Sequence, residues 1–92
     1  MILSFRDADT QALFEGRNVP RFANMRATAE RKLQMLDSAA SLNALRSPPG
    51  NRLEALRADR AGQHSIRIND QWRVCFIWTD DGPANVEIVD YH

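Results

Sequence analysis

An α+β fold is predicted for this chain of 92 residues by three observations. Apolar residues recur at helical spacing before residue 50 and alternate at strand spacing after it. The segment Ser47-Pro48-Pro49-Gly50 divides the two regimes, because neither a helix nor a sheet interior tolerates it. The expected architecture is two N-terminal helices packed on one face of a small antiparallel sheet. All of it falls in a single domain over residues 1–92, since a chain this short can fill one core and no second.

The elements follow in order. Ile2 to Phe5 is a short apolar run that reads as a strand, and Asp7 or Asp9 suits the N-cap of a helix ending at Gly16. Pro20 fits the first turn of a second helix. Behind it Phe22, Met25, Ala29, Leu33 and Leu36 share one helical face, with Arg26, Glu30, Arg31 and Gln34 elsewhere. That stripe is core packing. The helix stops near Asp37-Ser38, and a short helical turn with Leu42 and Leu45 follows Ser41.

Beyond the break, Arg52 to Leu56 reads as a strand and Arg57 to Gly62 as a polar connection. His64 to Ile68 alternates, as does Trp72 to Trp78, where Trp72, Val74, Phe76 and Trp78 share a face opposite Arg73, Cys75 and Ile77. Asp80-Asp81-Gly82-Pro83 is a turn before a last strand over Asn85 to Val89. With Asn69-Asp70-Gln71 as the loop, Ile68 faces Trp72 and Ile66 faces Val74. The apolar faces then coincide, and Arg67 and Arg73 project together from the other side.

Hydrophobic residues at 43% and charged residues at 26% exclude a disordered or fibrous chain. The absence of a long apolar run and of a signal-peptide core leads to the expectation of a soluble, cytoplasmic protein without membrane contact. Cys75 stands alone, so neither an internal disulfide nor a cysteine-rich zinc site is expected. The net charge is zero and the pI about 6.7, which argues against strong non-specific binding to polyanions. The charge is nevertheless sorted. Residues 46–73 carry six arginines against Glu54, Asp59 and Asp70, whereas residues 74–92 carry four acidic residues and no basic one. Eleven of the twelve basic residues are arginine, whose planar fork suits phosphate or carboxylate.

His64 and His92 have no second histidine or cysteine at ligand spacing, so no metal site is expected. Ser65 beside His64 is no catalytic pair, because neighbouring strand residues point to opposite faces. What remains is a set able to cleave RNA: a cation for the phosphate, and groups that carry protons to and from the 2′- and 5′-oxygens. Arg73, in a strand whose neighbours are core, is the first candidate, against the plainer reading of an ion pair with Glu87 or Asp90. Tyr91 and His92 bring a phenol and an imidazole to the end of the last strand. Glu54 reads either as a base or as a salt-bridge partner of Arg52 or Arg57. Arg57, Arg60 and Arg67 are candidates for binding RNA phosphates.

The stretches Leu53-Glu54-Ala55-Leu56, Asp59-Arg60-Ala61-Gly62, Ser65 through Phe76, and the terminal Asp90-Tyr91-His92 resemble HigB toxins of the RelE/ParE superfamily. The opening Ile2-Leu3-Ser4-Phe5 and Leu13-Phe14 match as well, so the resemblance spans essentially the whole chain. It implies a toxin that enters the ribosomal A site and cuts messenger RNA without a cofactor, by attack of the 2′-OH to give a cyclic phosphate. It also implies a helix-turn-helix, HigA-like antitoxin, and it is compatible with a toxin–antitoxin heterotetramer on operator DNA. By position, Arg73 would stabilise the scissile phosphate, Tyr91 would stack on a base and assist proton transfer, and Asp90 and His92 would complete the site. Glu54 departs from the family pattern, where a relative carries histidine, and the neutral net charge is a second departure. The ParE branch, which inhibits DNA gyrase without cutting RNA, and an inactive corepressor are the alternatives.

Overall fold

The structure is a computed structural model, and it describes residues 1–90. It is an α+β fold in which four antiparallel strands lie in sequence order, β1 (Glu54–Ala55), β2 (His64–Arg67), β3 (Trp72–Thr79) and β4 (Gly82–Asp90). Two α-helices precede them, α1 (Ala8–Phe14) and α2 (Arg26–Ser38). Among the described residues no helix is long and apolar enough to cross a membrane.

Asp7 caps α1, its carboxylate accepting the Thr10 amide at 3.0 Å, which satisfies one of the amides a helix start leaves without a partner. Pro20 opens a 3₁₀ turn over Pro20–Met25 that runs directly into α2. Phe22, Met25, Ala29, Leu33 and Leu36 are all buried along that continuous stretch, as their spacing requires. They meet Ile66, Val74, Phe76, Val86 and Ile88 from one face of the sheet in a single cluster. Trp72 and Trp78 are only half-buried and pack on the margin of that cluster; the Trp72 ring meets Phe22 edge-on at 5.6 Å between centroids.

The β2–β3 register is the one the alternation predicts. Ile66 pairs with Val74 and Arg67 with Arg73, and the Ile68 amide bonds the Trp72 carbonyl at 2.9 Å. The loop is fastened by Asn69, whose side-chain oxygen accepts the amides of Gln71 and Trp72, each at 2.8 Å.

Three expectations are corrected. The stretch Arg52–Leu56 yields only a two-residue strand, because Arg52 adopts a left-handed conformation (φ 45°) that extended pairing excludes. The last strand starts earlier than expected, at Gly82, since the chain reverses over Asp80-Asp81 alone and Pro83 already pairs with Trp78. Residues 2–5 form no regular strand. A single parallel bridge joins Phe5 to Val86, with the Leu3 amide on the Pro83 carbonyl at 2.8 Å and the Val86 amide on the Ser4 carbonyl at 3.0 Å.

The β4 edge is therefore covered, first by this N-terminal segment and then by α1, where the Thr10 hydroxyl accepts the buried Ile88 amide at 3.0 Å. The β3–β4 register shifts by one residue between Cys75 and Ile77, next to Asn85 at φ 52°, a bulge that keeps Val86 and Ile88 both inward.

Phe76 is fully buried at the middle of the sheet. Phe76→Ala should lower stability by about 3–5 kcal/mol, most of what a small domain possesses. Thermal and urea unfolding would show it, and an unchanged midpoint would mean that the inward face is wrongly assigned.

Candidate functional site

The sheet face turned away from the helices carries the charged residues. Its frame is Ser65, fully buried on β2, which lies opposite Glu54 on one side and Cys75 on the other. Arg73 is the diagonal neighbour of Ser65, and its Nε donates to the Ser65 Oγ at 2.8 Å. A second donor of the same guanidinium, Nη2, reaches the Arg52 carbonyl at 2.8 Å. Two fixed acceptors thus orient the plane of the fork, and the plainer reading of an Arg73–Glu87 ion pair fails. Glu87 is engaged by other arginines, at 3.1 Å from Arg60 Nη1 and 3.8 Å from Arg6 Nε.

Arg67 stands directly across from Arg73, a juxtaposition of like charges that by itself destabilises a sheet. Asp70 in the loop offsets it by pairing with Arg67. Arg60 also bonds Gln63 Oε1 at 3.1 Å, so its charge is committed within the protein. Arg57 differs. It is exposed, it makes no side-chain hydrogen bond or ion pair among the described residues, and it shares with Glu54, Ala55 and Leu56 a groove of about 610 Å³. The Glu54 carboxylate likewise has no partner among the described residues. The expected pairing of Glu54 with Arg52 or Arg57 is not formed.

Glu54 also belongs to a second groove, of about 310 Å³, on the other side of β1. Its walls include Leu42, Leu53, Ala55 and the His64 ring, with Arg46 and Asn43 from the short helical turn over Asn43–Arg46. Asp90 is placed apart from Arg73. It pairs with Trp72, and strand alternation puts it on the helix side of the sheet, at the sheet end, where its carboxylate accepts the Gln71 amide group at 3.1 Å. Tyr91 and His92 lie outside the described residues. The structure therefore brings together Glu54, Arg73 and Arg67 around Ser65, with Arg57 beside Glu54, and separates Asp90 from them.

Ser65, the Arg52 carbonyl and the Arg46 groove are the parts that the sequence did not point to. Ser65 was within reach, because the β2–β3 register alone makes it the diagonal neighbour of Arg73. Arg52 was not, since its role depends on a left-handed backbone conformation. Among the described residues no group of three His, Cys, Asp or Glu side chains is placed to hold a metal ion.

With this geometry in hand, the comparisons with known proteins are decisive for the family. Residues 3–92 match the model of the HigB-like toxins, the RelE-like toxins of type II toxin-antitoxin systems. The chain belongs to the HigB-like toxin family. Toxin HigB-1 of Vibrio cholerae serotype O1 is 38% identical over 87 residues, covering 92% of each chain. An uncharacterised protein of Haemophilus influenzae is 34% identical over 64 residues, covering 70% of this chain and 63% of that one. Among solved structures, a chain of the YoeB-YefM complex from Staphylococcus aureus superposes with a TM-score of 0.62 at 21% identity, covering all of this HigB-like chain and 95% of the other. That last likeness is one of fold.

The buried Cys75 under this face gives a direct test of its closure. Burial raises the thiol pKa above the ordinary value, with Glu87 adding to the rise and Arg60 opposing it. The folded HigB-like chain should resist iodoacetamide at pH 8 and react only once denatured. The raised folded-state value also means that the native protein holds the proton more tightly than the unfolded chain does. This contribution to stability is complete below the ordinary thiol pKa and declines as pH rises through the folded value. Cys75→Ala should flatten that alkaline decline, which urea titrations at several pH values would measure.

Proposed function

We propose that this toxin cuts messenger RNA in the ribosomal A site, by attack of a ribose 2′-OH on the adjacent phosphate. The observation that carries the reading is Arg73: a cation on a central strand, its guanidinium oriented by Ser65 Oγ and the Arg52 carbonyl, on the face away from the core. The family supports it, as toxins of type II systems.

In the proposed step the 2′-oxygen gives its proton to His92, whose imidazole titrates near neutrality, and forms a bond to phosphorus. The bond from phosphorus to the 5′-oxygen breaks, and that oxygen takes a proton from the Tyr91 phenol. The products are a 2′,3′-cyclic phosphate and a free 5′-hydroxyl. Water returns the proton from His92 to Tyr91. Arg73 stabilises the charge that develops on the phosphate oxygens. The Tyr91 ring also stacks on a base, as unstacked RNA bases do on aromatic side chains.

Asp90 acts by position. Its bond to Gln71 ties the end of β4 to the β2–β3 loop, directly before the two residues that move protons. Arg57, exposed and without an ion pair among the described residues, is the best placed of the basic candidates to hold a flanking phosphate; Arg67 and Arg60 lend weaker charge because Asp70 and Glu87 offset them. Glu54 is assigned to recognition rather than proton transfer, since a carboxylate beside the scissile phosphate would repel it. The proposed partner is a HigA-like helix-turn-helix antitoxin, with which the toxin would assemble on operator DNA, and the proposed location is the cytoplasm.

Arg73→Ala should reduce cleavage on translating ribosomes by about 100-fold to 1000-fold, the usual cost of one well-placed charge-stabilising donor. The variant should remain folded, because the side chain is not part of the core cluster. Primer extension on message from those ribosomes measures it. Tyr91→Phe should lose less than Tyr91→Ala if stacking outweighs proton transfer, and deletion of His92 tests the imidazole. Full cleavage by Arg73→Ala would refute the site, and absence of cleavage by wild type with DNA gyrase inhibited instead would favour the ParE-like alternative.

Co-expression with the product of the adjacent gene should yield a stable complex and restore growth. Failure of both would remove the antitoxin assignment.

A further inference from the structure

The groove beside β1 holds two opposite charges that do not pair with each other. Arg46 and Glu54 both line its space of about 310 Å³. Among the described residues Arg46 bonds only the Asn43 side chain, from Nε at 2.9 Å, and the Glu54 carboxylate has no partner. Opposite charges sharing a small exposed groove without a salt bridge leave hydrogen-bonding capacity for something that enters between them. The remaining lining mixes the apolar side chains of Leu42, Leu53 and Ala55 with the Asn43 carboxamide and the His64 ring, which stacks on Phe76.

A planar group with apolar faces, a donor edge for the carboxylate and an acceptor for the guanidinium would use all of these features. A nucleobase is such a group, and the four bases differ in how well they fit. Guanine alone presents two adjacent donors, N1–H and the N2 amino group, beside an acceptor at O6. A carboxylate, which only accepts, can take both donors at once, while Arg46 donates to O6. Adenine and cytosine each offer a single amino donor to that carboxylate, and uracil a single N–H flanked by oxygens that would face it.

We propose that this groove binds a guanine base, with Glu54 and Arg46 as the residues that discriminate it. Glu54 lies opposite Ser65, which holds Arg73, so this one residue borders both the groove and the face that carries the proposed cleavage site. The proposal rests on that reading for its biological meaning, as a subsite for a nucleotide of the same RNA strand near the cut. It also gives the Glu54 carboxylate a role other than proton transfer: its charge serves a base.

The test has two arms. In the first, the purified protein is titrated with the trinucleotides UGU, UAU, UCU and UUU, made with 2′-deoxyriboses so that none is cut, and followed by NMR. UGU should bind at least tenfold more tightly than the others, with shifts concentrated at Leu42, Leu53, Ala55 and His64. Glu54→Gln and Arg46→Ala should each abolish that preference, and the melting temperature of Arg46→Ala should match wild type because Arg46 is exposed. Equal affinity for the four trinucleotides, or shifts elsewhere, would overturn the proposal.

In the second arm, cut sites on translating ribosomes are mapped for wild type and Arg46→Ala. Wild type should favour guanine at one fixed position relative to the cut, and Arg46→Ala should cut with that bias lost. Cleavage by wild type without any guanine bias would refute the groove assignment and leave the cleavage reading standing. Selective UGU binding without cleavage would do the reverse.

Discussion

One side-chain amide sets the register on which both faces of the sheet depend. Asn69 accepts the amides of Gln71 and Trp72 and so holds the β2–β3 loop at a single length. Side chains alternate with period two, so a slip of one residue would place Arg73 among Leu33, Leu36 and Phe22 and would expose Val74 and Phe76 to water. An unpaired buried guanidinium costs several kcal/mol, which a chain of this size cannot supply. The same carboxamide therefore specifies a dry core and a charged outer face together. Core and site are two readings of one register.

On the charged face the arginines are not equivalent, although all carry the same formal charge. Arg67 is offset by Asp70 and Arg60 by Glu87, whereas Arg73 is oriented through a hydroxyl and a carbonyl, and Arg57 lines a groove without an ion pair among the described residues. A chain of zero net charge thus distributes its arginines unequally over this face. The acidic residues are spent where they fix geometry, in the β2–β3 loop and on β4, so neutrality overall coexists with directed charge in one place. The plane of the Arg73 guanidinium is set in advance, and such preorganisation lowers the ordering cost of any binding.

What was legible in the sequence follows the range of the interactions. The buried stripe from Phe22 to Leu36 and the facing strands around Asn69 are set by local periodicity and a short loop; burial and register follow the expected pattern, whereas Phe22 and Met25 lie in a 3₁₀ turn and the α-helix begins only at Arg26. The ion pair of Arg60 with Glu87 spans 27 residues, and no local pattern announces it. The shortness of β1 has a different origin. Arg52 to Leu56 has the composition of a strand, but Arg52, which takes a left-handed conformation, directly follows Asn51, the buried anchor of the turn over Pro49–Asn51, and tertiary packing overrides the local preference. Asp90 was grouped with Arg73 through its place in a motif, yet the parity of its pairing with Trp72 puts it on the other side of the sheet.

The buried Asn51 of that turn links the interior to the site. Lys32 on α2 is buried, and its ammonium donates to the Asn51 side chain at 2.5 Å, while the Asn51 amide group donates to the Leu45 carbonyl at 3.0 Å and to the Ser47 carbonyl at 3.4 Å. Burial lowers the Lys32 pKa, and the charges of Arg31 and Arg67 act in the same direction. A charged group would be abandoned there if packing alone mattered, because an apolar residue of similar volume usually costs less. Lys32 instead holds an asparagine that closes the turn, and the next residue is Arg52, whose carbonyl orients Arg73. The orientation of the exposed cation is thus inherited from a hydrogen bond inside the protein. A substitution at Lys32 or Asn51 would act on Arg73 by releasing the Arg52 carbonyl, and its signature would be a disordered Arg73 in a chain whose core cluster is otherwise intact.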